Sequence, residues 1–344
     1  MVLKKMNVGI MGCGRIAEVM ADTLKKMKSA RCYAVASRSQ SKAQLFADKW
    51  GAKAAYGSYE ELVTDKKVDL IYIATPHSEH YANVMLCIRN KKPVLCEKAF
   101  MANKGQAEDV LAFAQSEKVF VGEAMWTRYM PMRKTIKEVL SSGVIGAPVM
   151  LTANLGYSIE EKERLVDPSL AGGALLDLGV YALNFASMVF GDEVEKITSA
   201  CTYAGTGVDA QDSFTLTYAD GKMAVLNCTM KGISDRQGVI YGTKGYMVVE
   251  NINNFDTISV YNQEYKKIGF YKKPKQISGY EYEIEACGKA LKEGWLQCPD
   301  MTHEEILKMM EWMDLLRRQW NVVYPFENAT KDLNEITMES RLEE

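Results

Sequence analysis

The segment GALLDLGVYALN, Gly173 to Asn184, is apolar apart from two side chains able to do chemistry. Asp177 and Tyr181 stand four residues apart, so a helix places one above the other on the same face. A carboxylate on a mostly buried helix is unfavourable unless it is paired or used. A third candidate is Lys98, in LCEKAF, where an apolar run ends in Glu97 and the lysine. An ammonium at a strand end can hydrogen-bond a hydroxyl or stabilise a developing oxyanion. A surface ion pair with Glu97 is the plainer reading of the same two residues.

The run GIMGCGRIA points to a dinucleotide. Gly12, Gly14 and Ala17 fit G-x-G-x-x-G/A directly after a predicted strand and at the opening of a helix. The first glycine allows a tight turn, and the second lets backbone approach a pyrophosphate. Ala17 lets helix and strand pack closely, and the helix N-terminus offers N–H donors. Gly12, Cys13, Gly14, Arg15 and Ile16 are therefore the expected cofactor contacts. After the second strand an NAD-specific site places an acid on the ribose. Here ASRSQSK offers Ser37 and Arg38 and no acid, which suits a 2′-phosphate and favours NADP over NAD.

ATPHSEH follows the third strand. Thr75, His80 and Glu97 join the cofactor contacts, and His77 is expected to border the nicotinamide. For His80 two readings stand: a catalytic role, or local hydrogen bonding at a helix start. An H-x-x-H pair suggests zinc, but no third ligand sits at useful spacing, so no metal is expected.

These residues need elements to hold them. The first third alternates strand and helix: Asn7 to Gly12, Ile16 to Met27, Cys32 to Arg38, Ser41 to Trp50, Val68 to Pro76, Glu79 to Arg89, Pro93 to Lys98, Lys104 to Glu117, then VFVGE. That pattern means a doubly wound parallel sheet with helices on both faces, an α/β Rossmann domain over 1–123. From 124 to 330 successive alternating strands predict an α+β domain with a large, mostly antiparallel sheet. Its strands are read at Pro148 to Tyr157, Lys196 to Tyr203, Asp212 to Tyr218, Met223 to Met230, Gly238 to Tyr241, Tyr246 to Glu250 and Thr257 to Tyr261. Flanking helices are read at Met132 to Ser141, around Asp177, and at Tyr282 to Lys292 and Thr302 to Trp320. Residues 331–344 form a tail.

Composition sets the class. The chain has 344 residues, too many for one ordinary core. Its 47% hydrophobic and 25% charged content suit a globular protein, and a formal net charge of −2 with mixed signs argues against a nucleic-acid or membrane surface. No uncharged stretch reads as long enough to span a bilayer, and the N-terminus does not read as a signal peptide. Eight scattered cysteines without a CxxC read as reduced thiols in the cytoplasm. The 20 methionines read as core filler.

Taken in order, the glycine turn, ATPHSEH, CEKAF and GGALLDLGVY resemble the glucose–fructose oxidoreductase/inositol dehydrogenase (Gfo/Idh/MocA) family, from Val8 to about Phe326. GEAMWTRYMP and the Asp177/Tyr181 pair are most similar to its dimeric dihydrodiol dehydrogenases and NADP-dependent xylose-type aldose dehydrogenases. Inositol dehydrogenases carry a histidine at the position of Tyr181. The family also reads Glu-Lys-Pro where this chain has Ala99 after Lys98. The resemblance implies that Asp177 and Tyr181 face the nicotinamide opposite Lys98. Tyr181 is then the acid/base, with Lys98 favouring its phenolate, and Asp177 orients Lys98 or binds a substrate hydroxyl. Trp126 and Arg128 are expected to line the substrate site beside Lys98, Asp177 and Tyr181. The implied substrates are an aldose, another polyol or a trans-dihydrodiol, and the open face of the second sheet implies a homodimer or larger homo-oligomer. A keto-sugar reductase using the same residues, and a non-catalytic NADP(H)-sensing regulator, are the alternatives.

Overall fold

The computed structural model describes residues 5–327, so the expected 331–344 tail lies outside them. The first strand of the described residues is the apolar β1 (Met6–Met11), whose last five residues are buried. Helix α1 (Arg15–Lys26) follows, then β2 (Ala30–Ala36), α2 (Gln40–Trp50), β3 (Ala54–Tyr56), α3 (Tyr59–Thr64), β4 (Leu70–Ile73), α4 (His77–Arg89), β5 (Val94–Glu97), α5 (Lys104–Glu117) and β6 (Val121–Ala124). All six strands pair in parallel in the order β3-β2-β1-β4-β5-β6. The order reverses between β1 and β4, and ligands of such sheets bind in the crevice beyond the carboxyl ends there. Residues 12, 37, 75 and 97 all stand at those ends.

The second sheet has eight strands in the order β14-β13-β12-β11-β7-β10-β9-β8. They are β7 (Pro148–Gly156), β8 (Val194–Tyr203), β9 (Asp209–Tyr218), β10 (Met223–Thr229), β11 (Gly238–Gly242), β12 (Gly245–Val249), β13 (Thr257–Asn262) and β14 (Lys267–Lys272). Only β7 and β10 run parallel; the remaining pairs are antiparallel. Leu151, Leu155 and Leu226 point to one face and are fully buried. Met150, Met223, Tyr241, Tyr246 and Tyr261 share the other face through the strand register. The helices of this part are α6 (Pro131–Ser141), the single turn α7 (Glu163–Val166), α8 (Val180–Phe190), α9 (Glu281–Glu293) and α10 (His303–Gln319).

Four elements escape the sequence reading. β3, α3 and the single turn α7 are too short to show a period, and β14 is a lysine-flanked edge strand whose Ile268 and Phe270 are exposed. Pro168–Phe190, which carries the charged Asp177, is by length and composition alone long and apolar enough to cross a membrane, with mean hydropathy 1.5. Its buried share is 83%, so here it fills the core of the second domain.

Candidate active site

The glycine turn has the geometry that its sequence implies. Gly12 takes φ +105°, and a Cβ there would lie 2.8 Å from the Ala74 carbonyl oxygen, so only glycine fits. Gly14 caps α1 without any side chain bonding the helix N-terminus, and nothing lies within 4 Å of where its Cβ would be. Uncapped N–H groups beside open space suit a pyrophosphate. Arg15 is exposed there, while Cys13 and Ile16 are half-buried. Across the crevice Ser37 and exposed Arg38 end β2, and Ser39 caps α2 by accepting from the Lys42 N–H. Thr75 accepts a bond from Asn83 Nδ2 at 3.0 Å.

Lys98, Asp177 and Tyr181 come together although 79 residues separate the first two. Lys98 Nζ donates to Asp177 Oδ1 at 3.1 Å and to the Asp177 backbone carbonyl at 2.7 Å. The same nitrogen stands 4.9 Å from the centre of the Tyr181 ring. Asp177 lies not in a regular α-helix but in a π-helical turn, Leu175–Gly179, that opens α8. Such a turn loosens the i→i+4 ladder and lets a main-chain carbonyl accept from outside, here from Lys98. The turn is itself anchored: Asp209, fully buried on β9, accepts the Leu175 N–H at 2.6 Å. The Lys98–Ala99 peptide bond is cis.

Burial raises the Asp177 carboxyl, but Lys98 and then Arg164 outweigh it and hold the group well below the usual carboxylate range. Tyr181 behaves differently from the expectation. Burial, followed by Tyr280 and Glu97, pushes its hydroxyl well above the ordinary tyrosine value, although Trp126 Nε1 donates to the oxygen at 2.9 Å. In this state Tyr181 is a proton donor.

The other expected residues divide. Trp126 contacts Tyr181 and stacks on Tyr280, with centroids 4.0 Å apart and planes at 4°. Arg128 does not line the site. It is 1% exposed and spends its donors on Asn184, Ser187 and Glu305, tying α8 to α10. His80 takes the local role: Nδ1 faces the carbonyls of Ala99 and Phe100, and Nε2 faces that of Thr75. His77 is also enclosed, between the carbonyls of Ala171 and Lys98, and burial pushes it down to about 3. The two rings brace the turn carrying Lys98. Glu97 is buried and accepts from the Tyr72 hydroxyl and the Lys98 backbone N–H.

Two participants are absent from the sequence reading. Arg164, on α7, reaches Asp177 Oδ1. Tyr280 walls the site, on a segment pinned by Glu281 and touching α1 through Ser278 and Thr23, 2.8 Å apart. Neither falls in a motif. Among the described residues no His/Cys/Asp/Glu group of three could hold a metal ion.

Comparison with known proteins bears on this geometry. A family model described as an oxidoreductase family with an NAD-binding Rossmann fold (GFO_IDH_MocA) matches residues 6–125, and the GFO/IDH/MocA C-terminal domain matches 134–248. The trans-1,2-dihydrobenzene-1,2-diol dehydrogenase of Xenopus tropicalis is 34% identical over 92% of this chain and 98% of its own length. The Homo sapiens protein of the same name is 33% identical over 92% and 97%. Among solved structures, a 3-ketoreductase from Actinomadura kijaniata in complex with NADP and TDP-benzene superposes with TM-score 0.83 at 22% identity, over 92% of this chain and 98% of that one. An aldose–aldose oxidoreductase from Caulobacter crescentus gives 0.83 at 17% identity over the same shares. These two establish the fold.

Proposed function

The chain belongs to the GFO/IDH/MocA oxidoreductase family, and from that premise we propose that it transfers a hydride between NADP(H) and the C–OH carbon of an aldose, another polyol or a trans-dihydrodiol. The observation that carries this reading is the convergence of Lys98, Asp177 and Tyr181 at the carboxyl edge of the parallel sheet. Gly12, Gly14 and the uncapped α1 terminus fit the pyrophosphate, and Arg38 with Ser37 suit a 2′-phosphate, so NADP is preferred to NAD. When bound there, NADP(H) supplies or receives the hydride.

The chain's own residues handle the proton and the oxygen. Lys98 directs an ammonium toward the reacting oxygen and is oriented by Asp177. Asp177 Oδ2 has no hydrogen-bond partner among the described residues and is free to accept from a substrate hydroxyl. Tyr181 holds its proton on the phenol oxygen and delivers it to a carbonyl oxygen. The relatives named dihydrodiol dehydrogenases support a ring diol among the substrates.

The bare face of the eight-stranded sheet, with exposed Met150 and Met223 and the stacked Tyr246 and Tyr261, supports a homodimer or larger homo-oligomer. All eight cysteines are free thiols, consistent with a cytoplasmic protein.

The test is NADPH oxidation followed by absorbance with keto-sugars, and NADP+ reduction with aldoses and trans-dihydrodiols. Tyr181→Phe is expected to lower turnover by about 10² or more with little change in cofactor affinity. Near-wild-type turnover would remove Tyr181 from the chemistry. Arg38→Ala is expected to weaken NADPH binding by about tenfold while sparing NADH; equal losses would remove the 2′-phosphate assignment.

A further inference from the structure

Arg164 stands on the single turn α7, between β7 and the helix that carries Asp177 and Tyr181. Its side chain is 51% exposed, against 12% for Lys98 and 11% for Asp177, so it forms the outer lip of the same cleft. Its contact with Asp177 is poor. Nη1 and Nη2 both approach one oxygen, Oδ1, at 3.3 and 3.4 Å, and that oxygen is already held by Lys98 at 3.1 Å. A guanidinium is shaped to make two parallel bonds to the two oxygens of one anion, and here it makes neither.

The charges do not balance either. Two cations, Lys98 and Arg164, share one carboxylate. Glu97 also feels Lys98, but its hydrogen bonds run to the Tyr72 hydroxyl and the Lys98 backbone N–H, and it makes none with Arg164. On the α7 loop, Glu160 is paired with Lys231 at 3.6 Å, and Glu161 and Glu163 are exposed, where solvent and salt screen them.

Resting on the hydride-transfer reading above, we propose that Arg164 determines specificity, and that the substrate carries an anionic substituent, a carboxylate or a phosphate, beyond its reacting C–OH. The anion takes both terminal nitrogens of Arg164. Asp177 Oδ1 keeps Lys98, and Oδ2 remains available to a substrate hydroxyl.

The experiment is isothermal titration of the full chain saturated with NADP+, using D-glucose, D-glucuronate and D-glucose 6-phosphate as probes. At least one anionic sugar is expected to bind about tenfold or more tightly than glucose, the size of a charged hydrogen-bonded contact. The two anions separate carboxylate from phosphate recognition. Arg164→Gln is expected to erase the preference, and Arg164→Lys to restore part of it, with both variants melting like the wild type. Equal binding of the three sugars, binding of none, or a preference retained by Arg164→Gln would overturn the proposal. Turnover of neutral sugars without any anion preference removes this inference and leaves the hydride-transfer reading intact. An Arg164-dependent preference with no hydride transfer from any substrate does the reverse.

Discussion

Glu97 and Lys98 are adjacent in the chain, yet they divide the end of β5 into two regions with opposite electrostatics. On the cleft side, Lys98 meets Asp177 and Arg164. On the interior side, Glu97 meets a phenol, and Glu283 lies near it, fully buried with neither carboxyl oxygen partnered. Asp177 is 8% exposed and Glu97 7%, so burial does not distinguish them. Partners do. Two cations hold Asp177 low, whereas burial pushes Glu97 up to about 7 against the opposing effects of Tyr72 and Lys98. Glu123, whose Oε1 accepts the Phe100 N–H at 3.0 Å and whose Oε2 has no partner, is likewise raised to about 7 by burial. One side of the strand is built to keep charge, and the other to shed it.

The largest expected effect breaks the cleft side. Lys98→Met should lower turnover by about 10²–10³, because the oxygen loses its ammonium and Asp177 its inner partner. Steady-state kinetics with the best substrate of the panel will show it. Retention of turnover would mean that the ion pair is only structural.

The next effect lies in the interior. Glu283→Leu should stabilise the protein by about 1–3 kcal/mol at pH 8, since it removes an unpartnered buried carboxyl. Urea unfolding measures it, and a loss of stability would show that Glu283 has a partner of its own.

The smallest effect sharpens the comparison through pH. The Glu123 carboxyl titrates at about 7 when folded and at about 4.3 when unfolded, so the native state binds the proton more tightly. Its contribution to stability is complete below about pH 4.3 and is lost as pH rises through 7. Glu123→Gln keeps an acceptor for Phe100 and cannot ionise. It should flatten the fall in stability between pH 5 and 8 by about 1 kcal/mol or more. An unchanged slope would place the titration elsewhere.

Which residues were legible follows the same division. The Rossmann turn is readable because its constraints are local: a glycine with positive φ, an uncapped helix start, and strand–helix alternation within some thirty residues. Asp177 and Tyr181 are readable as a pair because a carboxylate in an apolar helix is conspicuous, although the π-helical turn beneath them is not. Arg128 looks as suited to a substrate as Arg164 in sequence. Its burial against Asn184, Ser187 and Glu305 is decided by the docking of α10, more than 170 residues away. His80 left two readings open, and three backbone carbonyls select the local one.

The sequence by itself determined the alternation of elements, the cofactor turn and the identities of the reactive groups, since each depends on neighbours within a turn or a strand–helix unit. Tertiary structure alone decided how those groups are charged and which of them face the cleft. The field at a buried side chain is summed over segments far apart in the chain. Lys98 and Arg164 acquire their shared carboxylate, Tyr181 its retained proton and Glu97 its phenol partner only when the two sheets and the loop of α7 close around them.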